Sequence, residues 1–205
     1  MNKSYWNLYA WKLRDVILAS LIATLFAVIC FATVHTTIFA ITPLIAPLGL
    51  GDIAIEFVFG VFFFSAVFAA YIMQKPGVAL VVGTLTGFVQ VLMGTAFAST
   101  LMPSAFIQGL GAEVVFALFR YKRWNLLTVL LAALNMAIFS FILAWYRGLW
   151  VDLGFGFVAT RFVIRAISAL VISGVLAKFL ADRLAKAGVL KSYPLAARYQ
   201  GNLDA

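Results

Sequence analysis

Glu113 is a carboxylate in the middle of the apolar run GAEVVFALFRYKRW, residues 111–124, which ends with three cations in four residues. Counted at about 1.5 Å of helix rise per residue from Pro103, where the predicted helix begins, Glu113 would lie roughly 15 Å deep, close to the middle of a membrane. An acid at such a depth in an apolar environment is costly unless it faces a cavity, a cation or a ligand. We therefore predict that Glu113 contacts a bound ligand.

Most other polar side chains in the apolar runs lie in the half of each run that is farther from the clusters of Lys and Arg. Carboxylates could hold a cation, amides could hydrogen-bond the edge of a heterocycle, and aromatic rings could stack on a flat or cationic group. Besides Glu113, the candidate binding residues are Gln108, Glu56, Gln90, Asn135, Trp145, Tyr146 and Asp52, with Trp150 as a further aromatic platform.

Two structural interpretations of these residues stay open. Arg161 and Arg165, one helical turn apart, could pair with Asp52, Glu56 or Asp152 and so hold the helices together. The aromatic residues near position 146 could instead form a belt at the membrane surface.

The composition indicates that these residues lie in a membrane rather than in a soluble domain. Hydrophobic residues make up 65% of the 205 positions and charged residues only 11%, whereas charge is about a quarter of a soluble domain. The chain is therefore predicted to be an all-α polytopic membrane protein. Its net charge of +8 is expected from basic cytoplasmic loops, so a nucleic-acid partner is not predicted.

Six apolar runs are long enough for membrane helices of about 20 residues. They lie at about 14–36, 51–73, 78–97, 103–119, 125–146 and 157–181. A short segment at about 1–13 and a tail at about 182–205 flank this single membrane domain. All Lys and Arg except Arg147, Arg161 and Arg165 fall on one side of the six spans, which predicts that both termini are cytoplasmic.

The first predicted helix carries small residues at every fourth position, namely Ala19, Ala23 and Ala27. Such a stripe lets another helix approach closely. It could pack inside the protein, or it could be a docking face for a separate membrane subunit.

The chain offers little for catalysis or for metal binding. Cys30 and His35 are the single cysteine and histidine, no acid and base are paired on one helix, and no GxxxxGK[ST] segment is present. We therefore predict no enzyme activity, cofactor, metal site or disulfide. Energy for any transport would come from partner subunits or from an ion gradient.

Four segments resemble the YkoE-type S components of energy-coupling factor (ECF) transporters, a family assigned to thiamine or its hydroxymethylpyrimidine (HMP) precursor. The segments are WKLRDVILAS, AAYIMQKPGVALVVG, FIQGLGAEVVFALFRYKRW and LAKAGVLKSYPLAARY. The YIMQKPG turn and the QGLGAE segment that runs into FALFRY are the most specific of them. The resemblance spans nearly the whole chain.

The resemblance implies a six-helix subunit of a prokaryotic plasma membrane that captures thiamine or HMP in an outward-facing pocket. It also implies docking, through small residues of the first helix, onto a transmembrane coupling protein driven by two cytoplasmic ATPases. Members often carry carboxylates on the third helix, whereas VALVVGTLTGFVQVLMG has none. Gln90 could still hydrogen-bond an aminopyrimidine, but it could not neutralise a thiazolium. The alternative is a small ion-coupled secondary transporter for a vitamin-like heterocycle.

Overall fold

The computed structural model describes residues 11–95, 98–148 and 154–200, and every regular element in these ranges is helical. Trp150, Asp152 and the side chain of Asp52 lie outside the described part, as do positions 1–10 and 201–205 of the two predicted flanking segments. Five described helices are long and apolar enough to cross a membrane, and a shorter apolar helix lies between the second and third of them. The helices are α1 (Leu13–Leu48), α2 (Ala54–Met73), α3 (Val78–Leu92), α4 (Ala98–Leu118), α5 (Leu126–Tyr146), α6 (Phe155–Lys186) and the C-terminal α7 (Pro194–Gln200).

The prediction of an all-α membrane protein is confirmed, and α1 to α6 follow the six predicted runs in order. Two helix boundaries differ from the predicted positions. Pro103 lies inside α4, which begins at Ala98, because a membrane helix tolerates a proline when neighbouring helices satisfy the freed backbone. The first helix continues past Thr36 through a π-helical stretch, Thr37–Ile41, and ends near Gly49, whose φ of 73° lies in the left-handed region.

Both ends of the described chain lie on one side of the helix bundle. Asp15 caps the start of α1 by accepting a hydrogen bond from the Lys12 backbone, and its carboxylate lies 2.6 Å from Lys75 Nζ in the α2–α3 turn. The Tyr193 hydroxyl donates to the Arg14 carbonyl at 3.0 Å. This is the cation-rich side, which the positive-inside rule assigns to the cytoplasm.

The small-residue stripe of α1 packs inside the bundle. Ala19, Ala23 and Ala27 are each at most 2% exposed, and α1 packs against α2 and α3. A docking face needs accessible side chains, so the predicted docking role of these three alanines is corrected to internal packing. The exposed face of α1 carries larger side chains, including Leu21 and Leu25.

The α-helical hydrogen bonding of α2 is interrupted at Phe59, one turn after the helix begins, and α6 contacts the chain at this point. The Gly60 backbone N–H donates to Ser168 Oγ at 2.9 Å, and the same hydroxyl donates to the Phe57 carbonyl at 2.7 Å. A Cβ at Gly60 would lie only 2.3 Å from the Ser168 carbonyl oxygen, so glycine is what lets the two helices meet. The contact places the first turn of α2, which carries Glu56, against α6.

Glycines also bring α3 and α4 together. A Cβ at Gly87 would lie 2.4 Å from Ala105 Cβ, and one at Gly83 would lie 3.3 Å from Gly109 Cα. Small residues of this kind let two membrane helices pack backbone to backbone. The outer halves of α3 and α4 therefore leave only a narrow space between them.

Candidate substrate pocket

A cavity of ≈ 270 Å³, the outer pocket, lies between the ends of α2, α4, α5 and α6 that are remote from the cation-rich side. It is slightly smaller than the roughly 300–1,000 Å³ of typical small-molecule sites. Phe59 and Phe62 supply aromatic surface. The main polar side chains of the lining are Glu56, Ser104, Gln108, Ser140, Arg147, Arg161 and Arg165.

A buried ion cluster forms one wall of the outer pocket. Arg165 donates to both oxygens of Glu56, from Nε to Oε2 at 2.6 Å and from Nη2 to Oε1 at 2.8 Å. Arg161 Nη2 lies 3.1 Å from Oε1. Because two guanidiniums share the carboxylate, the proposed structural pairing of Glu56 with Arg161 and Arg165 is present in the fold.

The guanidinium of Arg165 is held on three sides. Its Nη1 donates to Ser140 Oγ at 3.1 Å, and its Cζ lies 3.8 Å from the centroid of the Phe59 ring, within the range of a cation–π contact. Glu56 completes the enclosure. This wall is therefore ordered before any ligand arrives, which lowers the entropic cost of binding.

Arg147 lies at another part of the pocket, where α5 ends. Its Nη1 donates to Ser104 Oγ at 3.1 Å and its Nη2 donates to the Thr100 carbonyl at 3.0 Å. These bonds tie the end of α5 to the first turns of α4. They hold together the two helices that bound the cavity on this side.

A second, much smaller cavity adjoins the outer pocket. This inner cleft has a volume of ≈ 10 Å³, and it lies where α3 and α4 approach closely. Phe62, Leu101 and Gln108 line both cavities, whereas Gln90 lines the inner cleft but not the outer pocket. The structure therefore brings three of the predicted binding residues, Glu56, Gln108 and Gln90, to two adjoining cavities.

Glu113 lies outside both cavities, and its role is corrected by its contacts. Its Oε1 accepts hydrogen bonds from the Gly77 N–H at 2.6 Å and from the Tyr121 hydroxyl at 2.7 Å, and its Oε2 accepts from the Ala79 N–H at 3.1 Å. The carboxylate thus caps the first turn of α3, whose N–H groups have no partner within the helix. Because α4 ends at Leu118, Glu113 lies about 7 Å from its cytoplasmic end.

Asn135, Trp145 and Tyr146 line neither cavity. The Asn135 amide donates to the Gly111 carbonyl at 2.6 Å and ties α5 to α4. Trp145 and Tyr146 are 55% and 87% exposed and line neither cavity, which agrees with the alternative of an interfacial belt. The side chain of Asp52 lies outside the described part of the chain.

The sequence does not identify Phe59, Phe62 or Arg147 as pocket residues. Phe59 and Phe62 are two of twenty phenylalanines, and nothing in an apolar run separates a ring that faces a cavity from one that faces lipid. Arg147 follows the last turn of α5, where its charge bears in the sequence only on the orientation of the chain in the membrane. The one available signal was the helical spacing of Phe59 from Glu56, which puts both on the same face.

The chain is similar to known membrane-transport proteins. A family model described as "ABC-type cobalt transport system, permease component" matches residues 14–139. A Bacillus subtilis (strain 168) protein, named provisionally as the HMP/thiamine permease protein YkoE, is 32% identical over 186 residues, which cover 91% of this chain and 90% of that protein. A solved structure described as an S component of an ECF transporter superposes with a TM-score of 0.86 at 31% identity, and the match covers 95% of this chain and 96% of that one.

The chain belongs to this family of ECF S components. It is a multi-pass protein of a prokaryotic plasma membrane and the substrate-binding component of a transporter, and it is not an enzyme. The resemblance found in the YIMQKPG turn and the QGLGAE segment is thereby confirmed. Glu113, in that second segment, accepts a hydrogen bond from the backbone N–H of Gly77, the last residue of the first segment, so the two most specific motifs meet in one structural contact.

Proposed function

We propose that this S component captures HMP or thiamine in the outer pocket for ATP-driven uptake by a transmembrane coupling protein and two cytoplasmic ATPases. The observation that supports the proposal is a pocket of small-vitamin size, lined by aromatic and amide groups, in a chain 32% identical to a protein named as an HMP/thiamine permease. Arginine and serine side chains dominate its polar lining. These groups suit an organic ligand better than a metal cation.

The aminopyrimidine ring is the part that HMP and thiamine share, and it suits this lining. Its flat apolar faces can lie against Phe59 and Phe62. Its nitrogen edge needs both a donor and an acceptor, and the amide of Gln108 provides both. The ring alone is therefore the main recognition element.

The thiazolium of thiamine gains less from the described lining. Glu56 is the carboxylate of the pocket, and both of its oxygens already accept hydrogen bonds from Arg161 and Arg165. A cationic ligand would have to compete with two guanidiniums for it. Recognition of the neutral ring avoids that competition, so HMP should retain most of the affinity of thiamine.

Isothermal titration of the purified protein with HMP, thiamine and the isolated thiazole half tests the proposal. We expect HMP and thiamine to bind with dissociation constants within about tenfold of each other, a difference of about 1.4 kcal/mol, and the thiazole half to bind far more weakly. Gln108→Ala should weaken HMP binding about tenfold. The matched control is Tyr146→Ala on the exposed end of α5, which should leave HMP binding unchanged.

Binding of the thiazole half without HMP, or of neither, would contradict the proposed substrate. The energy source is tested separately in proteoliposomes. Uptake by this chain alone under an ion gradient would contradict the ATP-driven scheme and support a secondary transporter.

A further inference from the structure

The inner cleft contains a hydrogen-bond acceptor that no described group satisfies. Gln90 is 2% exposed, and its Oε1 has no hydrogen-bond partner among the described residues. A buried amide oxygen without a donor carries a desolvation cost that nothing repays. Buried polar atoms are nearly always paired in folded proteins, so an exception beside a binding pocket points to a donor that arrives from outside the chain.

The orientation of the Gln90 amide is fixed by its other end. Nε2 donates to the Thr86 carbonyl at 3.3 Å. Reversing the amide would bring Oε1 against that carbonyl and place two acceptors in contact. The oxygen is therefore the polar atom that Gln90 offers to the cleft.

The hydroxyl of Thr86, one helical turn before Gln90 on α3, does not compete for this oxygen. Thr86 Oγ1 lies 2.8 Å from the Val82 carbonyl and 2.9 Å from Ser65 Oγ, so its hydrogen is already used within the bundle. Both contacts are buried. Gln90 Oε1 stays available to a donor in the cleft.

The cleft has room for one small group. Its ≈ 10 Å³ is about the space of one water molecule or one amino group. It cannot widen without separating α3 from α4, because Gly87 already packs directly against Ala105. The shared walls at Phe62 and Leu101 mean that a ring in the outer pocket could extend a single substituent into the cleft.

We propose that the inner cleft is a subsite for one N–H donor of the substrate, in which Gln90 Oε1 accepts a hydrogen bond from the exocyclic amine of the aminopyrimidine. This inference rests on the proposed function and adds its specificity rule. A pyrimidine with hydrogen in place of the amine leaves the acceptor unpaired. One with a carbonyl oxygen there brings two acceptors together and is rejected more strongly.

The test measures dissociation constants of the full chain, in detergent, for HMP and for the same molecule without its amine. In the parent protein, loss of the amine should weaken binding at least about tenfold. In Gln90→Leu, which keeps the volume but removes the acceptor, the two ligands should bind with similar affinity. The midpoint of thermal unfolding without ligand should change little, because the substitution removes an unpaired buried oxygen together with one long hydrogen bond, from Nε2 to the Thr86 carbonyl at 3.3 Å, and these two effects oppose each other.

Equal weakening of both ligands in Gln90→Leu would give Gln90 a merely structural role and overturn the inference. If that variant does not fold, the parent protein still decides, since equal affinity for the two ligands overturns the inference as well. Asn135→Ala, which removes an amide outside both cavities, is the control and should preserve the preference for the amine. If the parent binds neither ligand, the proposed function itself fails and the subsite fails with it.

Discussion

Glu56 and Glu113 are both single carboxylates in apolar helices, and both are buried, but they bind different groups. Glu56 lies between two guanidiniums in the wall of the outer pocket, whereas Glu113 accepts hydrogen bonds from backbone N–H groups and one tyrosine at the cytoplasmic end of α3. The first arrangement orders a cavity, and the second ends a helix. The donors around a buried acid, rather than its depth along the helix, therefore determine its role.

Glu56→Gln should have the largest effect. The substitution leaves Arg165, which is only 3% exposed, without a negative charge beside it. Glu56 also forms part of the pocket wall that a ligand would touch. Breaking a buried ion pair from one side typically costs about 3–5 kcal/mol. We expect a large drop in the unfolding midpoint of the protein in detergent. Isothermal titration should also show that HMP no longer binds.

A double variant sharpens this prediction. Replacing Arg165 by Met in the Glu56→Gln background removes both members of the closest pair, so part of the lost stability should return. Two losses that simply add would show that Glu56 and Arg165 are not coupled, and the ion cluster would then not be the element that orders the pocket wall.

Glu113→Gln should have a smaller effect of a different kind. The amide keeps one oxygen as an acceptor but turns an NH₂ group toward backbone donors, and the charge at the start of α3 is lost. Loss of a helix cap costs about 0.5–2 kcal/mol. The unfolding midpoint should fall modestly, while the dissociation constant for HMP stays unchanged.

Tyr121→Phe is the companion variant, since it removes one donor to the same carboxylate and leaves the helix N–H groups in place. Its effect on stability should be smaller than that of Glu113→Gln. Weaker HMP binding in either variant, at unchanged stability, would contradict the capping role of Glu113 and show that this residue contributes to the binding site.

The fold could be predicted because its signals are local. Long apolar runs, the QKPG turn and the one-sided distribution of Lys and Arg each report on a short stretch of chain, and they placed six helices in order. Pro103 misled the prediction because proline ends helices in water, where no neighbouring helix satisfies the freed backbone groups.

The site was harder to predict because its signals are remote. The sequence does not show what pairs with Glu113, because its donors at Gly77 and Ala79 lie more than thirty positions away in sequence. The stripe containing Ala23 was ambiguous for the same reason, because small residues favour close packing without naming the partner. Only the folded chain shows that this partner belongs to the same bundle.

Two amides, Asn135 and Gln108, differ in the same way as the two acids, and the smallest effect on stability and binding is expected for Asn135. Asn135→Ala removes one hydrogen bond to the Gly111 carbonyl, a group in mid-helix that keeps its bond within α4. Side-chain hydrogen bonds between membrane helices contribute about 0.6 kcal/mol on average, so the unfolding midpoint should fall only slightly and HMP binding should not change. Gln108→Ala, on the pocket side of α4, should do the reverse and weaken HMP binding at nearly constant stability. If the two variants changed the same quantity, the division between packing and binding residues drawn from Glu56 and Glu113 would not extend to the amides.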